Sequence, residues 1–181
     1  SYEIGTKLWR LGLLASLHAE LREVALPYME DIFQLGVDAV QIGVLDGIRC
    51  LVIDRIAGSR SIEVVSRPGA RLPLHASGIG KVLLANGSQQ LQDAVLASLD
   101  RLTEQTITDP AVLRKLLRDI KQQGFATTPE GGGDVVPPSV EVGARAGDDG
   151  LGARVDAEVE GPVVRQVEVA VIRRAGRVAD V

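Results

Sequence analysis

Cysteine and histidine are almost missing from this chain: its 181 residues hold one cysteine, Cys50, and two histidines, His18 and His75. A single thiol cannot close an internal disulfide and excludes any cysteine-based metal cluster. Each histidine lacks a nearby Asp, Glu or Cys at ligand spacing, so neither a metal nor a cofactor is expected. Aromatic residues are scarce at 3%, which leaves the core to Leu, Val, Ile and Ala. Basic runs are absent and the net charge is −4, against this piece gripping nucleic acid by itself. No apolar run approaches the roughly 18 residues that a membrane helix needs, and no signal peptide opens the chain. A soluble, cytoplasmic protein with no membrane partner is expected. The chain also lacks an initiator Met and starts in mid-pattern at Ser1-Tyr2-Glu3-Ile4-Gly5, as a fragment or a processed product would.

What is present is globular in kind, with 45% apolar and 24% charged residues. This length suits one domain of ordinary size with a flanking element. Residues 7–24 carry Leu8, Leu11, Ala15 and Leu21 or Val24 at one-face helical spacing. Pro27 is expected to interrupt, with a short helix restarting at Tyr28 and stopping near Gly36. Two strands, residues 39–45 and 50–54, flank Asp46-Gly47, a hairpin signal. A third strand is predicted over residues 62–66. Helices are predicted over 78–86, over 89–99, and from Thr108-Asp109-Pro110 to Gly124, where Asp109 caps and Pro110 takes the first helical position. Residues 125–128 read as a short strand and residues 143–152 as loop. Pro137-Pro138 restricts residues 135–142 to an edge or bulge. Val155, Ala157 and Val159 alternate as a half-buried strand does. From Pro162 onward, Val164, Val167, Val171, Ile172 and Ala175 fall at helical spacing. The layout is α+β, an antiparallel sheet covered by helices on one side.

The most informative stretch runs from Ser66 to Lys81. Arg67-Pro68-Gly69 is a turn, and Ser77 is an N-cap for a helix that opens Gly78-Ile79-Gly80. Such a terminus offers unpaired N–H donors at the positive end of the helix dipole, where carboxylates and phosphates bind. The alternative is that these glycines only permit close packing.

Val44-Leu45-Asp46-Gly47, Val52-Ile53-Asp54-Arg55 and the run Gly69-Ala70-Arg71-Leu72-Pro73-Leu74-His75-Ala76-Ser77-Gly78-Ile79-Gly80-Lys81 together resemble the effector-binding domain of IclR-type bacterial transcriptional regulators. Tyr2-Glu3-Ile4-Gly5, Thr106-Ile107-Thr108-Asp109-Pro110 and Gly124-Phe125-Ala126 extend the likeness over residues 2–128. The resemblance implies a GAF-like (profilin-like) α+β fold, with residues 1–24 forming the end of a wing and a linker helix and residues 25–181 the effector-binding domain. It implies a small organic-acid effector, operator DNA bound through an N-terminal winged helix-turn-helix domain upstream of residue 1, and a homodimer or homotetramer. Its effector site, carried over, is the backbone at Gly78 and Ile79 behind Ser77, with an apolar wall at Val64 and with Ser61 or Ile62 nearby. Family members place an Asp where Thr127-Thr128 stands here, and a Leu and a Cys near Val135 and Pro137 or Pro138. The far wall of the pocket therefore departs from the family pattern at Thr128 and Val135.

Other reactive-looking residues have plainer readings. His75 and Ser77 lack an orienting carboxylate for nucleophilic catalysis. His75 is read as a structural hydrogen bonder and Ser77 as a cap. Gly78-Ile79-Gly80-Lys81 has the wrong spacing for a phosphate loop, and no Ser or Thr follows Lys81. Cys50 reads as a small buried hydrophobe, and Asp54-Arg55 as a local ion pair. The function expected is effector sensing and oligomerisation in a DNA-binding regulator, not catalysis. The rivals are a dimerisation domain with a vestigial pocket and a stand-alone GAF-like sensor or enzyme.

Overall fold

The computed structural model describes residues 18–58, 67–128, 139–147, 150–152 and 166–173. Their elements run α1 (Ala19–Gln34), β1 (Ala39–Asp46), β2 (Arg49–Ala57), β3 (Arg71–Pro73), α2 (Gly78–Asn86), α3 (Gln89–Leu96), α4 (Pro110–Gln123), β4 (Phe125–Thr128), β5 (Ser139–Gly147), β6 (Gly150–Gly152) and β7 (Gln166–Arg173). The strands form one sheet in the order β3-β2-β1-β7-β5-β4, with β6 added beside β5. The β1–β2 hairpin turns at Gly47 with φ 59°, a left-handed position that glycine takes without a Cβ penalty. β3 continues the antiparallel meander, whereas β7 lies parallel to both β1 and β5.

β1 is central, and its first six residues are all buried. That fits its near-continuous apolar sequence, because a strand covered on both faces has no need of alternation. Val40, Ile42 and Val44 pack with Leu21, Ala25 and Met29 of α1 and with Ile53. The opposite face is covered by a second core, in which Cys50, Leu74, Ile79, Leu84, Leu113 and Ile120 meet. Alternation along the strands sends these two sets to opposite sides, so helices cover both faces rather than one.

α4 follows its sequence signals closely. Asp109 accepts from Ala111 N–H at 2.7 Å and Val112 N–H at 3.4 Å. Gly124 closes the helix at φ 85°, its N–H donating to Ile120 O at 2.8 Å. Asp109→Ala is expected to cost about 1 kcal/mol through loss of both cap bonds. Urea unfolding followed by circular dichroism checks this, and an unchanged midpoint would refute the cap's role.

Five local expectations need correction. Pro27 does not interrupt: α1 is one helix with Pro27 in its interior. Leu21, Ala25, Met29 and Ile32 make a stripe running past the proline onto the sheet, and burying it outweighs the roughly 3 kcal/mol an interior proline costs. The segment after Pro162 is not a helix, since residues 166–173 form β7. Valine recurs there at every second residue (Val167, Val169, Val171) as well as at helical spacing, and β-branched residues favour the strand. Residues 143–147 and 150–152, read as loop, are strand, and residues 139–142, read as edge or bulge, belong to β5 and pair on both sides, with β4 and β7. Lastly, Asp54 lies within β2 rather than ending it, and its carboxylate pairs with Arg22 of α1 at 3.0 Å while accepting from the Arg55 backbone N–H at 2.8 Å. The strand expected over 62–66, the alternation at 155–159 and residues 1–17 lie outside the described residues.

Candidate functional site

The segment leading to α2 is fixed by local chemistry first. Ala70 N–H donates to Arg67 O at 2.8 Å across the Pro68-Gly69 turn, where Gly69 has φ 90°. Pro at the first central position and a positive-φ glycine at the second define a type II turn. Gly69 N–H donates to Val52 O at 2.8 Å and Val52 N–H to Ala70 O at 2.9 Å, which lashes the turn to β2. Arg71 is anchored by an ion pair with Asp46 of the hairpin. His75 is buried and bonds through Nε2 to Asp100 O at 2.9 Å, the structural role read from the sequence.

Ser77 then caps α2 from both directions. Its hydroxyl donates to Pro73 O at 2.8 Å and accepts from Gly80 N–H at 3.2 Å, and its carbonyl accepts from Lys81 N–H at 3.0 Å. Because the hydroxyl is committed to Pro73 and Gly80, Ser77 is not paired with His75. Gly78, Ile79 and Gly80 are all buried. No described residue accepts from Gly78 N–H, and no acidic side chain lies in the first turn to offset the helix dipole. Among the described residues the head thus keeps one backbone donor, Gly78 N–H, without an acceptor, and places no nucleophile–base pair. Among the described residues no group of three His, Cys, Asp or Glu could hold a metal ion. Nor is any described helix long and apolar enough to cross a membrane.

Beneath the head, β1 makes room. A Cβ on Gly43 would stand 2.7 Å from both Ile79 Cδ1 and Cys50 Sγ. Ile79 therefore seats α2 directly on the strand at the residue where the β1–β2 register shifts. Sequence reasoning missed Gly43, although a lone glycine in an apolar strand run signals such a close approach.

Of the residues expected to form the site, Ser77, Gly78 and Ile79 stand together. Thr128 ends β4, a strand that packs beside α2. Val64, Ile62 with Ser61, and Val135 lie outside the described residues. A separate cleft of about 190 Å³ is lined by residues of the β1–β2 hairpin, of the His75 step and of α3, and neither Gly78 nor Ile79 lines it.

Residues 14–131 match the family described as bacterial transcriptional regulator IclR C-terminal. The HTH-type transcriptional regulator BhcR of Paracoccus denitrificans is 32% identical over 130 residues, covering 67% of this chain and 47% of its own. KdgR of Escherichia coli is 31% identical over 126 residues, covering 68% of this chain and 48% of its own. An IclR homologue from Microbacterium hydrocarbonoxydans, complexed with 4-hydroxybenzoate, superposes with a TM-score of 0.65 at 35% identity, covering 70% of this chain and 53% of that one. The Thermotoga maritima IclR superposes with a TM-score of 0.62 at 30% identity, over 68% of this chain and 51% of its own. The chain spans about half the length of the curated relatives it matches.

Proposed function

The chain belongs to the IclR family of bacterial transcriptional regulators, which are not enzymes, and from that premise we propose that it senses a small organic acid held at the head of α2. The observation that carries this reading is the buried Gly78 N–H, which meets no described acceptor at the positive end of a helix without acidic residues in its first turn. An anion placed there gains a charge-assisted bond and the helix dipole at once. Ile79, the next residue of the head, is proposed to line the site beside Gly78, and Ser77 holds the turn in shape. Val64, Ile62, Thr128 and Val135 are proposed as the surrounding wall. The occupied 4-hydroxybenzoate complex of the Microbacterium relative supports an aromatic or short-chain carboxylate as the class to try first. In the whole regulator, a helix-turn-helix domain preceding this part would bind operator DNA. Pairing of copies into a homodimer or homotetramer would match the two-fold symmetry of the operator. Effector binding would then change how α1 is presented to that domain.

A thermal-shift screen of aromatic acids, 4-hydroxybenzoate among them, and of short-chain carboxylates tests the site. At about a hundred times Kd, a ligand adds roughly 2.7 kcal/mol, a rise of several degrees in Tm. That rise is expected to vanish in Gly78→Val. Absence of stabilisation by every acid would favour a dimerisation domain without a working pocket. Turnover of any acid would refute the regulator reading outright.

A further inference from the structure

The cleft beside His75 has chemistry of its own. Arg49, His75 and Asp100 line it together with apolar Ile48, Leu74 and Leu102. Its volume of about 190 Å³ equals that of roughly six waters at about 30 Å³ each, room for a molecule of amino-acid size. His75 is only 6% exposed, and its one hydrogen bond joins Nε2 to the Asp100 carbonyl. A carbonyl can only accept, so Nε2 carries the proton, and the tautomer that makes this bond has Nδ1 as its acceptor. No described residue donates to Nδ1.

The two charged residues are likewise uncommitted. Asp46, the cross-strand neighbour of Arg49, is taken by Arg71, and Arg49 forms no ion pair among the described residues. The Asp100 carboxylate has no described cationic partner, and Arg49 and Asp100 are not bridged to each other. The cleft's lining thus combines a cationic residue, an acidic residue and an imidazole with an apolar floor at Leu74. Ile48 and Leu102, 57% and 56% exposed, form an apolar rim that adds to that floor.

We infer that this cleft is a second binding site, for a free α-amino acid with an apolar side chain. The α-carboxylate goes to Arg49. The ammonium goes to the Asp100 carboxylate and His75 Nδ1, and the side chain covers Leu74 beneath the rim. A plain carboxylic acid leaves the Asp100 end without a donor and sets two carboxylates in one cleft, so its preferred place remains the head of α2.

Isothermal titration of the chain with L-leucine, L-isoleucine, L-valine, L-methionine and L-phenylalanine tests the inference, with 4-methylpentanoate, 3-methylbutylamine and 2-hydroxy-4-methylpentanoate as truncated analogues of leucine. At least one amino acid is expected to bind. Its affinity should fall about tenfold in Arg49→Gln and again in Asp100→Asn, each of which removes one charge-assisted contact. Both residues are exposed, and Asp100→Asn keeps the backbone carbonyl that holds His75, so both variants fold. Gly78→Val should leave amino-acid binding intact, which separates this site from the one at α2. Three results would overturn the inference: no binding by any of the amino acids, binding indifferent to both substitutions, or the hydroxy acid binding as tightly as leucine.

Discussion

Gly80→Ala is expected to destabilise the domain by about 2–4 kcal/mol, a change whose sign alone is informative. Helix propensity argues the other way, because alanine is favoured over an interior helical glycine by about 1 kcal/mol. The structure supplies the opposing force. A Cβ at residue 80 would stand 2.7 Å from Leu74 Cα and 2.8 Å from Leu74 O, and would also strike Ser77 Oγ. Two of those obstacles are backbone atoms, which cannot swing aside as a side-chain tip does. Leu74 is itself buried in the core, and its strand-side neighbour Pro73 holds the Ser77 hydroxyl. Relief of the clash would require α2 to lift, breaking the Ser77 cap, worth about 1 kcal/mol, along with core contacts at the overpacking cost of about 1–3 kcal/mol. Urea unfolding at equilibrium measures the outcome as a fall in midpoint of about 1 M or more at ordinary slopes. A raised midpoint would mean that the helix head yields to the added methyl without losing its cap.

Gly80 also shows where the two readings of the glycine pair divide. One held that the glycines admit an anion, the other that they permit close packing. Each glycine takes a different part. Gly80 is held by packing, its N–H already spent on Ser77 Oγ. Gly78 carries the N–H that no described residue accepts. Spacing in the sequence could not divide the roles, because both residues serve the same helix head.

Elements written in local chemistry were legible. α2 begins at its serine cap, α4 spans its Asp-Pro start and glycine stop, and the β1–β2 turn falls at Asp46-Gly47. Such signals act over a few residues, and distant packing seldom overrides them. What misled was everything decided at long range. Pro27 is tolerated because β1 and β2 bury the helix that contains it. β7 is a strand because β1 and β5 flank it, although valine spacing allows either period. Arg22 reaches Asp54 across 32 residues, a pairing that no local pattern announces. The site divides in the same way. Ser77, Gly78 and Ile79 are contiguous and could be read directly. The cleft joins Arg49, His75 and Asp100 from three separate segments and became visible only in the fold.

Ile79→Ala is expected to cost about 2–5 kcal/mol, as the loss of a fully buried branched side chain does. The more telling experiment is its coupling to Gly43. Gly43→Ala alone places a Cβ 2.7 Å from Ile79 Cδ1 and from Cys50 Sγ, an overpacking worth about 1–3 kcal/mol. Ile79→Val alone removes the Cδ1 methyl, at about 0.5–1.5 kcal/mol. Combined, the two changes partly cancel, because the methyl that is lost is one of the two atoms the new Cβ would strike. The double variant should therefore be more stable than the sum of the single effects allows, by about 0.5–2 kcal/mol of coupling. Cys50 remains as the second obstacle, which keeps the rescue incomplete. Strict additivity in this cycle would mean that α2 does not rest on β1 through this pair. The same cycle also bears on sensing. If Ile79 seats the helix head that holds the anion, Ile79→Val should alter acid affinity in the thermal-shift assay. Arg49→Gln, in the cleft that neither Gly78 nor Ile79 lines, should leave that affinity unchanged.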